Sequence, residues 1–121
     1  MKFVRIGNDI VEISRIESAI SKKGFKERVF TEKEIEQIEA KGGKSESYAG
    51  RFSAKEAIAK ALGTGVRGFN LVDIEILNNS LGKPEVKLYG NLKEKNVNVE
   101  ISISHCKDYA TAVAIIMERE E

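Results

Sequence analysis

The stretch RFSAKEAIAKALGTG, residues 51–65, restricts the fold of this chain more than any other. At roughly 100° per residue, Ala54, Ala57, Ile58, Ala61 and Leu62 form one apolar stripe, and Phe52, Glu56 and Lys60 fall on the opposite side. The spacing predicts a helix that anchors along one side and presents charge along the other. Gly63 is a natural C′ residue, with Thr64-Gly65 extending the turn, so the helix is expected to stop there. Glu56 and Lys60 stand at i and i+4 in the favoured order, which by spacing alone reads as a solvated ion pair contributing roughly 0.2–0.5 kcal/mol. Phe52 on the same side points to a cover over it. With Lys55 between the two faces, the turns from Arg51 to Lys60 offer three cations around one carboxylate, a grouping that suits an anionic, metal-chelated ligand.

A chain of 121 residues can bury a modest core without staples, and no linker, repeat or low-complexity tract divides it; one domain over residues 1–121 is expected. With 41% hydrophobic and 32% charged residues it belongs with globular chains rather than disordered ones. A formal net charge of +1 argues against bulk attraction to nucleic acid or a membrane surface. MKFVRIGNDIVEI carries charges too early for a signal peptide, and no segment reaches the roughly 18 apolar residues of a membrane span, so a cytoplasmic protein is expected. One cysteine, Cys106, and one histidine, His105, exclude a Cys/His zinc site within one chain. Any metal would be held by carboxylates and would be hard, Mg²⁺ being the default.

Residues 2–8 read as a strand broken by Gly7, which puts Asp9 just past its end. Ile13, Ile16 and Ile20 then mark a helix stopped by Gly24, whose other face carries Arg15 and Lys22 and, beyond the stop, Lys26 and Arg28. On its own that is a solvated basic face. Thr31-Glu32-Lys33-Glu34 spells a capping box, flanked by Phe30 and Ile35 at the staple positions, and opens a second helix that Gly42-Gly43 ends. Residues 44–47 read as a short link. Later the period changes: 71–77 and 85–89 alternate as a hairpin around a turn that ends at Pro84, and 90–96 form a polar turn or short helix. Residues 97–103 alternate as a strand with His105 in phase at its end, and Tyr109 to Met117 reads as a central strand buried on both faces. Helices in the first half and a small, mainly antiparallel sheet in the second predict an α+β fold.

Two literal motif matches carry no function. Gly63 to Gly68 fits the dinucleotide fingerprint, but a helix precedes it where a strand is required. Glycines ending a helix can still let a phosphate approach exposed amides. Asn78-Asn79-Ser80 matches a glycosylation acceptor that a cytosolic chain has no use for. His105 lacks the serine nucleophile that a triad needs, and Cys106 lacks a local signature of a catalytic thiol.

Taken together, GNDIVEISRIE, VFTEKEI, AGRFSAKEAIAKALGTG, LGKPEV and ISISHCKDYATAVAII resemble, in order and spacing, the bacterial holo-acyl-carrier-protein synthases, a family of 4′-phosphopantetheinyl transferases. The resemblance covers essentially the whole chain. It implies transfer of the phosphopantetheine arm of coenzyme A to a serine of apo acyl carrier protein, releasing adenosine 3′,5′-bisphosphate. By the same resemblance Asp9 and Glu56 bind Mg²⁺, and Asp9 or a metal-bound water assists in deprotonating the serine. It further implies that Lys60, Arg51 and His105 contact the phosphates of coenzyme A, with Gly63, Thr64 and Gly65 nearby, and that Gly82-Lys83-Pro84 forms the adenine-side loop. Lys60 and His105 thereby join Asp9 and Glu56 as catalytic candidates. Arg15, Lys22, Lys26 and Arg28 resemble the surface that receives the acidic recognition helix of the carrier protein. The family is trimeric, with active sites shared between neighbouring subunits, which agrees with a short chain whose Phe52/Glu56 side needs a cover. The sequence departs from the family at Asn8, usually aliphatic, and at Leu81, commonly polar.

A reading from another class is a non-catalytic module whose basic first helix grips an acidic protein or RNA. It expects Asp9→Ala and Glu56→Ala to leave partner binding intact.

Overall fold

In the computed structural model, which describes residues 4–63 and 68–119, the helix α4 (Ser45–Ala61) is buried on most of its surface. It begins six residues earlier than the motif that announces it, so the expected link at 44–47 is in large part its first turn. One apolar stripe is therefore too narrow a description. One side of α4 packs Ala54, Ala57, Ile58 and Ala61 on the sheet, and another joins Tyr48 and Ala49 to a second cluster with Ile16, Phe30 and Ile38. A helix buried this way needs small residues where neighbours come close. Its end is as expected: Leu62 N–H donates to Ile58 O and Gly63 takes a left-handed φ of 79°.

The sheet beneath α4 has strand order β1-β5-β4, from β1 (Val4–Glu12), β5 (Tyr109–Glu118) and β4 (Val97–His105), all antiparallel. Here Gly7 has a specific reason. A Cβ at that position would lie 2.1 Å from Ala57 O and 2.7 Å from Ala61 N, so β1 lies directly on the helix backbone. Ala112 and Ala114 keep β5 similarly close. Because β1 continues to Glu12, Asp9 sits inside the strand, opposite Ala112, rather than beyond its end. β5 is central, as expected, but it is buried on one face only. The other face of the sheet leaves Val4, Ile6 and Ile10 about two-thirds exposed, with Ile115 and Tyr109 beside them.

Three helices close the opposite side. α1 (Ile13–Ile20) ends before Gly24, and that glycine, with φ 86°, opens a separate short helix α2 (Phe25–Val29) instead of stopping the first. Lys26 and Arg28 thus belong to α2. α3 (Glu32–Ala40) starts with the expected capping box, Thr31 N–H donating to Glu34 Oε1 at 2.8 Å and Glu34 N–H to Thr31 Oγ1 at 3.2 Å. Phe30 and Ile35 join the same apolar cluster. After a 3₁₀ turn at Leu71–Asp73, β2 (Ile74–Asn78) and β3 (Pro84–Leu88) make the expected hairpin as a separate two-stranded sheet, and Gly90–Glu94 is a second 3₁₀ turn.

Lys55 corrects the sequence reading most plainly. It is fully buried, and its Nζ donates to Glu34 Oε1 (2.7 Å), Val29 O (2.6 Å) and Leu71 O (3.1 Å). Glu34 Oε2 in turn accepts from Ile76 N–H at 2.8 Å. One ammonium therefore ties α2, α3, α4 and the approach to β2 together, and it faces no ligand.

Candidate functional site

Asp9 and Glu56 come from different elements and line the same cleft, about 330 Å³, between β1, α1, α2 and α4. Asp9 is fixed on three sides. Its Oδ1 accepts from Lys60 Nζ at 3.1 Å, its Oδ2 from Ser53 Oγ at 3.2 Å, and its main-chain oxygen from Thr111 Oγ1 at 2.7 Å. Lys60 also donates to Asn8 O at 3.0 Å, which gives the unusual Asn8 a main-chain role that its side chain does not affect. Glu56 has its proton affinity raised, first by burial and second by the negative charge of Asp9, with Lys60 opposing. Two carboxylates whose charges disfavour one another form a pair that a hard divalent cation would relieve; the rest of the lining is apolar apart from Arg15, so such an ion would take two protein oxygens and complete its shell with water or ligand oxygens, which suits Mg²⁺. Part of the expected cover over Phe52 is supplied by the chain itself, since the Phe25 ring of α2 packs against it, tilted by 34° with centroids 6.3 Å apart. Arg15 reaches the rim of the same cleft.

Arg51 lies elsewhere. Nine residues separate it from Lys60, which on a helix is half a turn of the axis, so the expected ring of three cations around Glu56 does not form. It lines a second cleft, about 360 Å³, together with His105, Gly82, Pro84, Lys41 and Glu46. Arg51 is 6% exposed; its Nη2 donates to Gln37 Oε1 at 2.6 Å, and its buried Nη1 has no partner. No carboxylate forms an ion pair with Arg51 among the described residues. A buried cation with an unused donor is a costly arrangement unless an anion completes it. His105, half-exposed at the end of β4, has Nδ1 3.5 Å from Glu46 Oε2. Gly82 holds a φ of 85° in the turn that forms one wall.

The remaining candidates separate. Lys83 turns away from this cleft to Glu100, at 3.4 Å, in a groove between β3 and β4. Gly63 lies at the end of α4, where an added Cβ would come within 3.0 Å of Arg5 Nη1. Thr64 and Gly65 lie outside the described residues. Lys22 and Arg28 are exposed, whereas Lys26 is drawn to Glu39 (3.6 Å) and the Tyr48 ring (4.9 Å). Leu81 is almost fully exposed at the hairpin tip. Lys41 and Gln37 were not found from the sequence. Gln37 lies on α3 and Lys41 caps its C-terminus, both at polar positions of the pattern, and no spacing signal links them to Arg51.

Comparison with known proteins gives the family of the chain. The 4′-phosphopantetheinyl transferase superfamily matches the chain over residues 5–114. A holo-[acyl-carrier-protein] synthase of Fusobacterium nucleatum is 58% identical over 120 residues, covering 94% of this chain and 98% of the relative. Among solved structures, the holo-(acyl-carrier-protein) synthase of Bacillus anthracis in complex with CoA (3′,5′-ADP) superposes with a TM-score of 0.82 at 39% identity, over 98% of this chain and 100% of that one. The Helicobacter pylori synthase in complex with coenzyme A gives 0.81 at 35% identity, over 92% and 98%. Among the described residues no helix is long and apolar enough to cross a membrane.

Proposed function

This chain belongs to the 4′-phosphopantetheinyl transferase superfamily, and from that premise we propose that it transfers the 4′-phosphopantetheine group of coenzyme A to a serine of apo acyl carrier protein. The observation that carries the reading is the convergence of Asp9 and Glu56, 47 residues apart in sequence, on one cleft beside Lys60. Coenzyme A in two structural relatives supports it as donor.

Asp9 and Glu56 are the residues that hold Mg²⁺. When bound, the ion supplies neutralisation of charge developing on the attacked diphosphate. Lys60, already anchored on Asp9 Oδ1, adds a cation at the same edge. The serine oxygen attacks the phosphorus that bears the pantetheine; the new P–O bond forms as the bond to the bridging oxygen breaks, and adenosine 3′,5′-bisphosphate leaves. The hydroxyl proton passes to a carboxylate facing the cleft, which we assign to Asp9, whose position is set by Ser53 and Lys60. Positioning and charge stabilisation account for most of such a transfer.

Arg51, His105, Gly82 and Pro84 bind the nucleotide end of the donor. Because their cleft is separate from that of Asp9 and Glu56, one donor molecule is best held by the first group of one subunit and the second group of its neighbour. The uncovered apolar sheet face supplies a surface for the homotrimer this requires. Arg15, with exposed Lys22 and Arg28, offers the acidic carrier a landing surface next to the metal acids. We place the reaction in the cytoplasm, where the exposed thiol of Cys106 stays reduced.

The test is incubation with coenzyme A, Mg²⁺ and apo carrier protein, read by mass for added phosphopantetheine. Asp9→Ala and Glu56→Ala should each lower the labelling rate by about two orders of magnitude or more. Full labelling by either variant would defeat the assignment.

A further inference from the structure

We infer that Gln37 is a positioning residue that aims the Arg51 guanidinium into its cleft and sets its separation from the Gly82–Pro84 turn; the inference rests on the reading of that cleft as the donor's nucleotide site. One amide makes three hydrogen bonds. Gln37 Oε1 accepts from Arg51 Nη2 at 2.6 Å and from Asn78 N–H at 2.8 Å, and Nε2 donates to Asn78 O at 2.9 Å. Rotating the amide by half a turn would set an NH₂ against two donors and an oxygen against a carbonyl, so only one orientation is satisfied. Asn78 is the last residue of β2 and pairs with Pro84, so the same amide grips the base of the turn that forms the opposite wall.

Two consequences follow from the chemistry. The guanidinium is planar, so fixing Nη2 also fixes the direction of Nη1, the buried donor without a partner. And an amide accepts the hydrogen bond without cancelling the charge. A glutamate at this position would pair with Arg51 and compete with an incoming phosphate, whereas glutamine leaves the full positive charge available.

The test measures coenzyme A binding by calorimetry on the full chain, with steady-state kinetics alongside, for Gln37→Leu, Gln37→Glu, Arg51→Ala and Gln37→Leu/Arg51→Ala. Gln37→Leu should raise Kd about 10-fold, the scale of a lost hydrogen bond to a charged group, with the change in KM rather than kcat. Gln37→Glu should bind at least as weakly, because its carboxylate pairs with Arg51, and should melt no lower than Gln37→Leu, because it loses only the bond to Asn78 O while the leucine loses all three. Should the leucine variant not fold, the glutamate variant carries the comparison. In the Arg51→Ala background the Gln37→Leu penalty should fall below about 2-fold. An unchanged penalty in that background, or tight binding by both Gln37 variants when Arg51→Ala binds weakly, overturns the role of Gln37 and leaves the cleft reading standing. Wild-type affinity in Arg51→Ala itself overturns the cleft reading.

Discussion

Glu56 shows at the level of one residue how a site can oppose the fold that carries it. Burial and Asp9 raise its pKa above the usual 4.5, so the folded chain holds the proton more tightly than the unfolded one. The ionised form therefore works against folding. That penalty is complete above the raised pKa, shrinks as pH falls through it, and is gone below 4.5. Glu56→Gln should accordingly melt higher than wild type at neutral pH, with the difference closing as the pH is lowered towards 4.5; thermal melts across the range check this. A constant difference would mean that ionisation is not its source. Added Mg²⁺ should raise the melting temperature of wild type and not of Glu56→Gln, because only the intact pair binds the ion. The Glu56–Lys60 spacing was visible in the sequence and suggested a surface pair. What the structure reveals instead is Lys60 on Asp9, a partner 51 residues away.

The element that organises the molecule is α4, and its constraint lies in what it excludes. Lys55 has no solvent face, because α2, Phe30, α3 and the turn at Leu71 surround its ammonium. Lys55→Ala would leave Glu34, also fully buried, without its counter-charge, and should cost about 3–5 kcal/mol in urea unfolding. Replacing both together, as Lys55→Met with Glu34→Gln, should cost less than the single change, since no lone charge remains buried. Equal losses would show that packing, and not charge, dominates there. The boundary errors in reading the helices share one cause. Residues 44–47 and Gly24 look like breaks in a local pattern, yet the first turn of α4 and the start of α2 are held by tertiary contacts that local propensity does not register.

At the scale of the whole molecule, the proposed function requires that the two clefts on opposite sides of α4 serve one active site. If neighbouring subunits share each site, Asp9→Ala and Arg51→Ala chains, each impaired alone, should recover activity when co-folded. One site in about four of a random mixture would draw both intact groups from different chains. Activity no greater than the sum of the separate variants would exclude a shared site. Sedimentation should find trimers in the wild type, and Ile6→Lys on the bare face of the sheet should shift them to monomers with loss of labelling, since burying an unpaired ammonium there is costly.

By itself the sequence determined the elements whose signals are local: the capping box at Thr31, the hairpin whose turn ends at Pro84, the alternation of β4, the stop at Gly63, and the family to which the motifs belong. Only the tertiary structure decided which side each charge serves. It sent Lys55 into the core, Arg51 and Lys60 to opposite clefts, Lys83 away from both, and one face of β5 to the surface. Local patterns record spacing along the chain, whereas the partner of a buried charge and the cover of an apolar face are set by residues tens of positions away. That is why Asp9 and Glu56, carried by motifs that resemble a family, could be proposed in advance and Gln37 could not.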